Sequence, residues 1–117
     1  MRNHKDLIVW QKSMEHVLTI YEATKLFPKE ETFGIINQMR RSAISIPSNI
    51  AEGYGRIFEK ETAKFLSNAL GSASELETQL IISKDLGYAN PDKIQELIKQ
   101  NEEIIKMLSS LIKSLCI

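Results

Sequence analysis

Apolar residues recur at three- and four-residue spacing through nearly the whole chain, in four blocks punctuated by proline and glycine, and β-type alternation is nowhere sustained. That period gathers apolar side chains on one side of a helix and confines the chain to helix packed on helix. The first block runs from about Asp6 to Leu26, with Leu7, Trp10, Met14, Val17, Leu18 and Tyr21 on one stripe. Asp6 is its expected N-cap, and Phe27-Pro28 its stop, because a residue before proline is pushed out of the α region. Glu30 and Glu31, with Thr32 as cap, open the next block, where negative charge complements the helix dipole.

The second block runs from about Thr32 to Gly53 and gathers Ile36, Met39, Ala43, Ile46 and Ile50 on one side. Pro47 deletes one backbone hydrogen bond and crowds the carbonyl four residues earlier, which predicts a kink near Ala43 to Pro47 and not two separate helices. Gly53-Tyr54-Gly55 supplies residues that take positive φ readily and end the helix. The third block, about Glu59 to Leu86, carries Phe65, Leu66, Ala69, Leu70, Ala73, Leu76 and Leu80, with Gly87 as its end. Within it, Gly71-Ser72-Ala73-Ser74 offers small side chains for close helix approach. Asn90 reads as an N-cap with Pro91 at the first helical position of the fourth block, whose stripe is Ile94, Leu97, Ile98, Ile104, Ile105, Leu108, Leu111, Ile112 and Leu115. The sequence therefore predicts an all-α, antiparallel up-down four-helix bundle, with residues 1–117 forming one domain around one core.

Fifteen basic and fifteen acidic residues give a net charge of zero and a pI near 6.7, so any site for a polyanion is a local patch. The lone cysteine, Cys116, permits no intrachain disulfide and reads as a small apolar residue near a helix end. The N-terminal apolar run stops after Leu7, Ile8, Val9 and Trp10, too short for a signal peptide, and no stretch approaches a membrane span. A cytoplasmic protein with no membrane association is the expectation.

Chemistry is sparse. A dimetal carboxylate site in a bundle needs Glu-x-x-His pairs, and none occurs. His4 and His16 lack a second ligand at metal spacing and are expected to be solvated, so neither a metal nor a cofactor is expected. Gly-x-Gly-x-x-Gly, P-loop and Gly-x-Ser-x-Gly motifs are all missing. The one unusual constellation is Arg41, Ser45, Ser48, Asn49, Glu52 and Arg56, which project on one side of the second block and the loop after it. Three of the four arginines (Arg40, Arg41 and Arg56) fall here, and arginine suits bidentate recognition of carboxylate or phosphate. Asn49 and Glu52, satisfied by these arginines, would form a polar network or subunit contact; the other reading is a ligand site. Arg40, Ile44, Pro47 and Ala51 form a further strip outside the core stripe, where apolar residues suggest packing against another copy.

The segment Ser45-Ile46-Pro47-Ser48-Asn49-Ile50-Ala51-Glu52-Gly53-Tyr54-Gly55-Arg56 resembles a family of bacterial four-helix bundle proteins often encoded in intervening sequences of large-subunit ribosomal RNA genes. Further matches are Asp6-Leu7 with Val9-Trp10-Gln11, Phe27-Pro28 with Glu31, Gln38 with Arg40-Arg41, Phe65-Leu66, and Ala69-Leu70-Gly71-Ser72-Ala73-Ser74-Glu75-Leu76-Glu77-Thr78-Gln79. The resemblance implies an up-down bundle assembled into a homopentameric ring, with no established enzymatic activity. The chain is also similar to the accessory protein of diversity-generating retroelements, which looks like an adaptor between a reverse transcriptase and nucleic acid. Two departures stand out: Phe58 and Thr62 where relatives have a serine cap and an aromatic, and a neutral charge where the accessory proteins are basic.

Three functions compete. The first is a non-enzymatic homo-oligomeric scaffold that engages RNA or DNA weakly through Arg40, Arg41 and Arg56. The second is a protein-protein adaptor in which those arginines tie subunits together. The third is an enzyme with a small polar site at Asn49, Glu52 and Arg56.

Overall fold

In the computed structural model, which describes residues 3–115, four α-helices follow one another: α1 (Ile8–Thr24), α2 (Ile35–Tyr54), α3 (Glu59–Asp85) and α4 (Pro91–Leu115). Single 3-10 turns precede α1 at His4–Asp6 and α2 at Lys29–Glu31. Each helix packs on its neighbour in sequence, α1 also packs on α4, and the diagonal pairs stay apart. That arrangement is an antiparallel up-down bundle with a central core. The 27 residues of α3 span about 40 Å at about 1.5 Å per residue, close to the 43 Å long axis of the molecule.

The stripes of the second, third and fourth blocks meet as read. Met39, Ala43, Ile46 and Ile50 of α2, Leu66, Ala69, Ala73, Leu76 and Leu80 of α3, and Ile94, Ile104 and Leu108 of α4 are buried together. Asn90 caps α4 as expected, its Oδ1 accepting from the Asp92 and Lys93 amides at 2.9 and 3.3 Å. Gly87, at φ +71°, follows α3 in the left-handed conformation expected of it. Pro47 lies inside α2, which continues through it as one helix.

Helix α1 differs from its expected orientation. Its buried positions are Val9, Ser13, His16, Ile20, Ala23 and Thr24, whereas Trp10, Val17 and Tyr21 are half-buried and Met14 and Leu18 are exposed. The helix is turned by about one residue because its polar side chains find partners inside: His16 at Asn101, and Thr24 at Arg40 and the Ile20 carbonyl. Hydrophobic periodicity counts such residues as outward-facing.

Three ends also differ. Asp6 does not cap α1; it closes the 3-10 turn, which Asn3 caps by accepting from the Lys5 amide at 2.9 Å, and α1 begins after Leu7 with no side-chain cap. Glu30, Glu31 and Thr32 stand outside α2: the Thr32 hydroxyl donates back to the Lys29 carbonyl at 2.7 Å, and Glu31 accepts from the Tyr88 hydroxyl at 2.6 Å. Finally, α2 ends without a left-handed residue, since Gly55 has φ −84°. Gly53 provides space instead, because a Cβ there would lie 3.0 Å from both the Phe65 Cβ and the Thr62 carbonyl. Thr62, which with Phe58 makes the first of the two departures, seals the same junction by donating to the Gly53 carbonyl at 2.7 Å.

In the small-residue stretch, Gly71 faces open space, while Ala73 is fully buried and Ser72 bonds to α2. Among the described residues no helix is long and apolar enough to cross a membrane. Cys116 lies outside the described residues.

Candidate functional site

The polar stripe of α2 divides into separate pieces. At its N-terminal half, Arg41 is exposed over a recess between α2 and α3, lined also by Gln38, Ser45, Ser72 and Glu75. The hydroxyls of Ser45 and Ser72 lie 2.8 Å apart and join the two helices. Asn49 donates to the Ser45 carbonyl at 2.8 Å and to its hydroxyl at 2.9 Å, so the serine, and not an arginine, holds it. At the C-terminal end, Arg56 donates to Glu52 at 2.9 Å and lies 4.7 Å over the Phe65 ring. Arg41 and the end of α2 at Tyr54 are about 20 Å apart along the helix, at about 1.5 Å per residue, and Arg56 lies in the turn beyond.

Arg40 points away from both. Its Nε donates to the Thr24 hydroxyl at 2.9 Å, its NH2 to the Tyr21 carbonyl at 3.3 Å, and its guanidinium covers the Tyr21 ring at 4.4 Å. It adds to the bonds that the Tyr21 carbonyl already accepts from the Lys25 amide and the Thr24 hydroxyl, and it ties α1 to α2. The three arginines therefore do not form one cluster.

Ser48 joins the opposite edge of α2, in a groove of about 320 Å³ between α1 and α2 whose walls include Trp10, Met14, Val17, Ile44, Pro47 and Ala51. Pro47 is buried against the rest of the chain and Ala51 is half-buried. Ile44 keeps 42% of its surface exposed, Met14 44%, and Leu18, one turn beyond Met14, 69%. His4 is half-buried at the end of this groove, edge-on to Trp10 at 5.3 Å, and not solvated as the sequence suggested.

A second polar cluster was not anticipated. His16, expected in solvent, is only 3% exposed, and its Nε2 lies 3.0 Å from Asn101 Oδ1. The Asn101 amide donates to the Ala73 carbonyl at 2.8 Å, so one chain of contacts joins α1, α4 and α3. Burial lowers the His16 pKa below the ordinary histidine value, and hydrogen bonding to Asn101 and Gln100 opposes that shift. Outside it, Lys12 and Glu103 pair at 2.7 Å across the same seam, each favouring the charged form of the other. The available signal was Asn101 itself, an amide on the core stripe between Leu97 and Ile104. Among the described residues no three histidine, cysteine or acidic side chains converge as metal ligands.

The fold and its contacts define a small bundle whose polar groups serve mainly to join one helix to the next. The chain belongs to the 23S rRNA-intervening sequence protein family, whose model matches residues 5–110. A crystal structure of a protein of unknown function from the S23 ribosomal protein family of Bacteroides thetaiotaomicron is similar, with a TM-score of 0.83 and 28% identity, over 91% of this chain and 96% of that one. No curated protein matches the sequence.

Proposed function

We propose that the protein is a non-enzymatic homo-oligomeric scaffold, a pentameric ring, whose subunits meet through the α1–α2 face. One observation carries this reading: Met14, Leu18 and Ile44 expose apolar surface together beside the groove, although α1 has an interior to face. Turning α1 inward by its polar side chains leaves its apolar stripe outside, and exposed apolar stripes of this kind are contact surfaces. The contact would rest on Ile44, Ala51, Met14 and Leu18, with Pro47 shaping the groove from beneath. Mass measurement by light scattering tests it: the wild type is expected at five times the 13.3 kDa chain, and Leu18→Glu with Ile44→Glu at the mass of one chain with unchanged helical content. A monomeric wild type at high concentration overturns the reading.

Weak contact with RNA or DNA is a second property we propose, now resting on Arg41 and Arg56. Arg41 has no hydrogen-bond partner among the described residues and stands exposed over a polar recess, and ring symmetry would multiply modest contacts. Fluorescence anisotropy of a labelled structured RNA should show binding that weakens steeply with salt and is lost in Arg41→Ala, Arg56→Ala at unchanged mass. Absence of binding even at low salt leaves a protein-protein adaptor.

A further inference from the structure

Geometry fixes the proton on the buried His16 ring. The Ala73 carbonyl only accepts, so Asn101 turns its Nδ2 to it and presents Oδ1 to His16, and Nε2 at 3.0 Å must therefore be the donor. Nδ1 is left as a buried acceptor with no hydrogen-bond partner among the described residues. The ring lines a recess of about 150 Å³ between α1 and α4, together with Lys12, Glu15, Thr19, Gln100 and Glu103. We propose that His16 is an acid-sensitive latch: neutral, it ties α1 to α4 and through Asn101 to α3; protonated, it releases α1 from the bundle.

A proton added at Nδ1 places a full charge where solvent barely reaches, and this burial outweighs the neutral Asn101 and Gln100 amides that favour the charged ring. The charged groups around the ring do not neutralise it. On α1, Lys12 is a like charge and Glu15 is exposed to water. On α4, Glu103 is committed to Lys12 and flanked by Lys99 and Lys106, and Gln100 is a neutral amide. From α3 the Ala73 carbonyl is taken by Asn101, and from α2 Arg40 turns on α1 farther along, at Tyr21 and Thr24.

Helix α1 is the element that such a charge would free. Its buried apolar residues are Val9, Ile20 and Ala23, fewer than in any other helix, with Trp10 and Val17 half-buried against the core, so polar ties form a larger share of its seat than of any other helix's. The fold prefers the neutral ring, so the folded pKa lies below the unfolded one. The latch is therefore fully closed above about pH 6.5 and weakens as pH falls below it, by at most about tenfold per pH unit for one proton.

Amide hydrogen exchange of the full chain between about pH 7.5 and about pH 5.5, corrected for intrinsic rates, tests this, with the His16 ring followed by NMR and Trp10, the only tryptophan, by fluorescence. Opening of α1 amides is expected to rise by up to about tenfold per pH unit as pH falls from about 6.5 toward the lower value at which the folded His16 titrates, while α3 amides stay protected. His16→Gln, which keeps a donor for Asn101 but cannot titrate and leaves His4 in place, should remove the response. The latch is refuted if α1 and α3 amides respond together, if His16 titrates without any change in α1, or if His16→Gln responds like the wild type. Should that variant not fold, the wild type decides alone: α1 opening that begins to rise below about pH 6.5, above the pH at which the folded ring titrates, supports the latch, and α1 opening that stays flat refutes it.

Discussion

Asn101 holds two commitments at once, to the Ala73 carbonyl and to His16, and it sits fully buried on the core stripe of α4. Replacing it by leucine keeps the number and branching of side-chain heavy atoms and suits the stripe, yet it strands the His16 N–H in the interior. An unsatisfied buried donor costs about 1 to 3 kcal/mol, whereas replacing both partners with apolar groups approaches neutrality. Asn101→Leu should therefore lose about 1 to 3 kcal/mol in urea denaturation at neutral pH, and less when His16→Phe is already present. Equal losses in both backgrounds would mean that the two side chains are not energetically coupled. The polar pair also explains why α1 resisted a reading from periodicity. Each polar residue counts as outward-facing until its partner is known, and the partner of His16 lies 85 residues away.

At the scale of the helix, two glycines separate space from conformation. Gly53 has ordinary helical geometry but no room, with the Phe65 Cβ and a backbone carbonyl 3.0 Å from where its own Cβ would stand. Gly71 is helical, exposed and has nothing within 4 Å. Gly53→Ala should thus destabilise by about 1 to 3 kcal/mol, as overpacking does, since α2 and α3 must part. Gly71→Ala should stabilise by about 0.5 to 1 kcal/mol through helix propensity alone. Thermal unfolding of the two variants checks both signs, and a stabilised Gly53→Ala would show that the junction yields. Type and order of the helices were legible because apolar spacing, Asn90-Pro91 and Gly87 are local signals that agree with one another. The use of Gly53 was not, because a glycine chosen for close approach looks in sequence like one chosen for a turn. The arginines failed for a similar reason: adjacent Arg40 and Arg41 diverge by about 100° on a helix, and which one meets α1 depends on how that helix is turned.

For the whole molecule, the orientation of α1 decides what the bundle offers to others. Its interior side is filled by polar ties, and its outward side carries Met14 and Leu18 next to Ile44 of α2. A chain with a pI near 6.7 and balanced charge has little net repulsion to keep such faces apart near neutral pH. If copies pair through this face, folding and assembly share one equilibrium, and stability depends on protein concentration by mass action. The thermal midpoint of the wild type should then rise over an about hundredfold increase in concentration, while Leu18→Glu with Ile44→Glu should unfold at a concentration-independent midpoint. The comparison separates assembly from a merely local loss: a substitution that only weakened α1 would lower the midpoint and leave its concentration dependence intact. A wild-type midpoint that stays fixed across the range would mean that the exposed stripe is not a contact between copies.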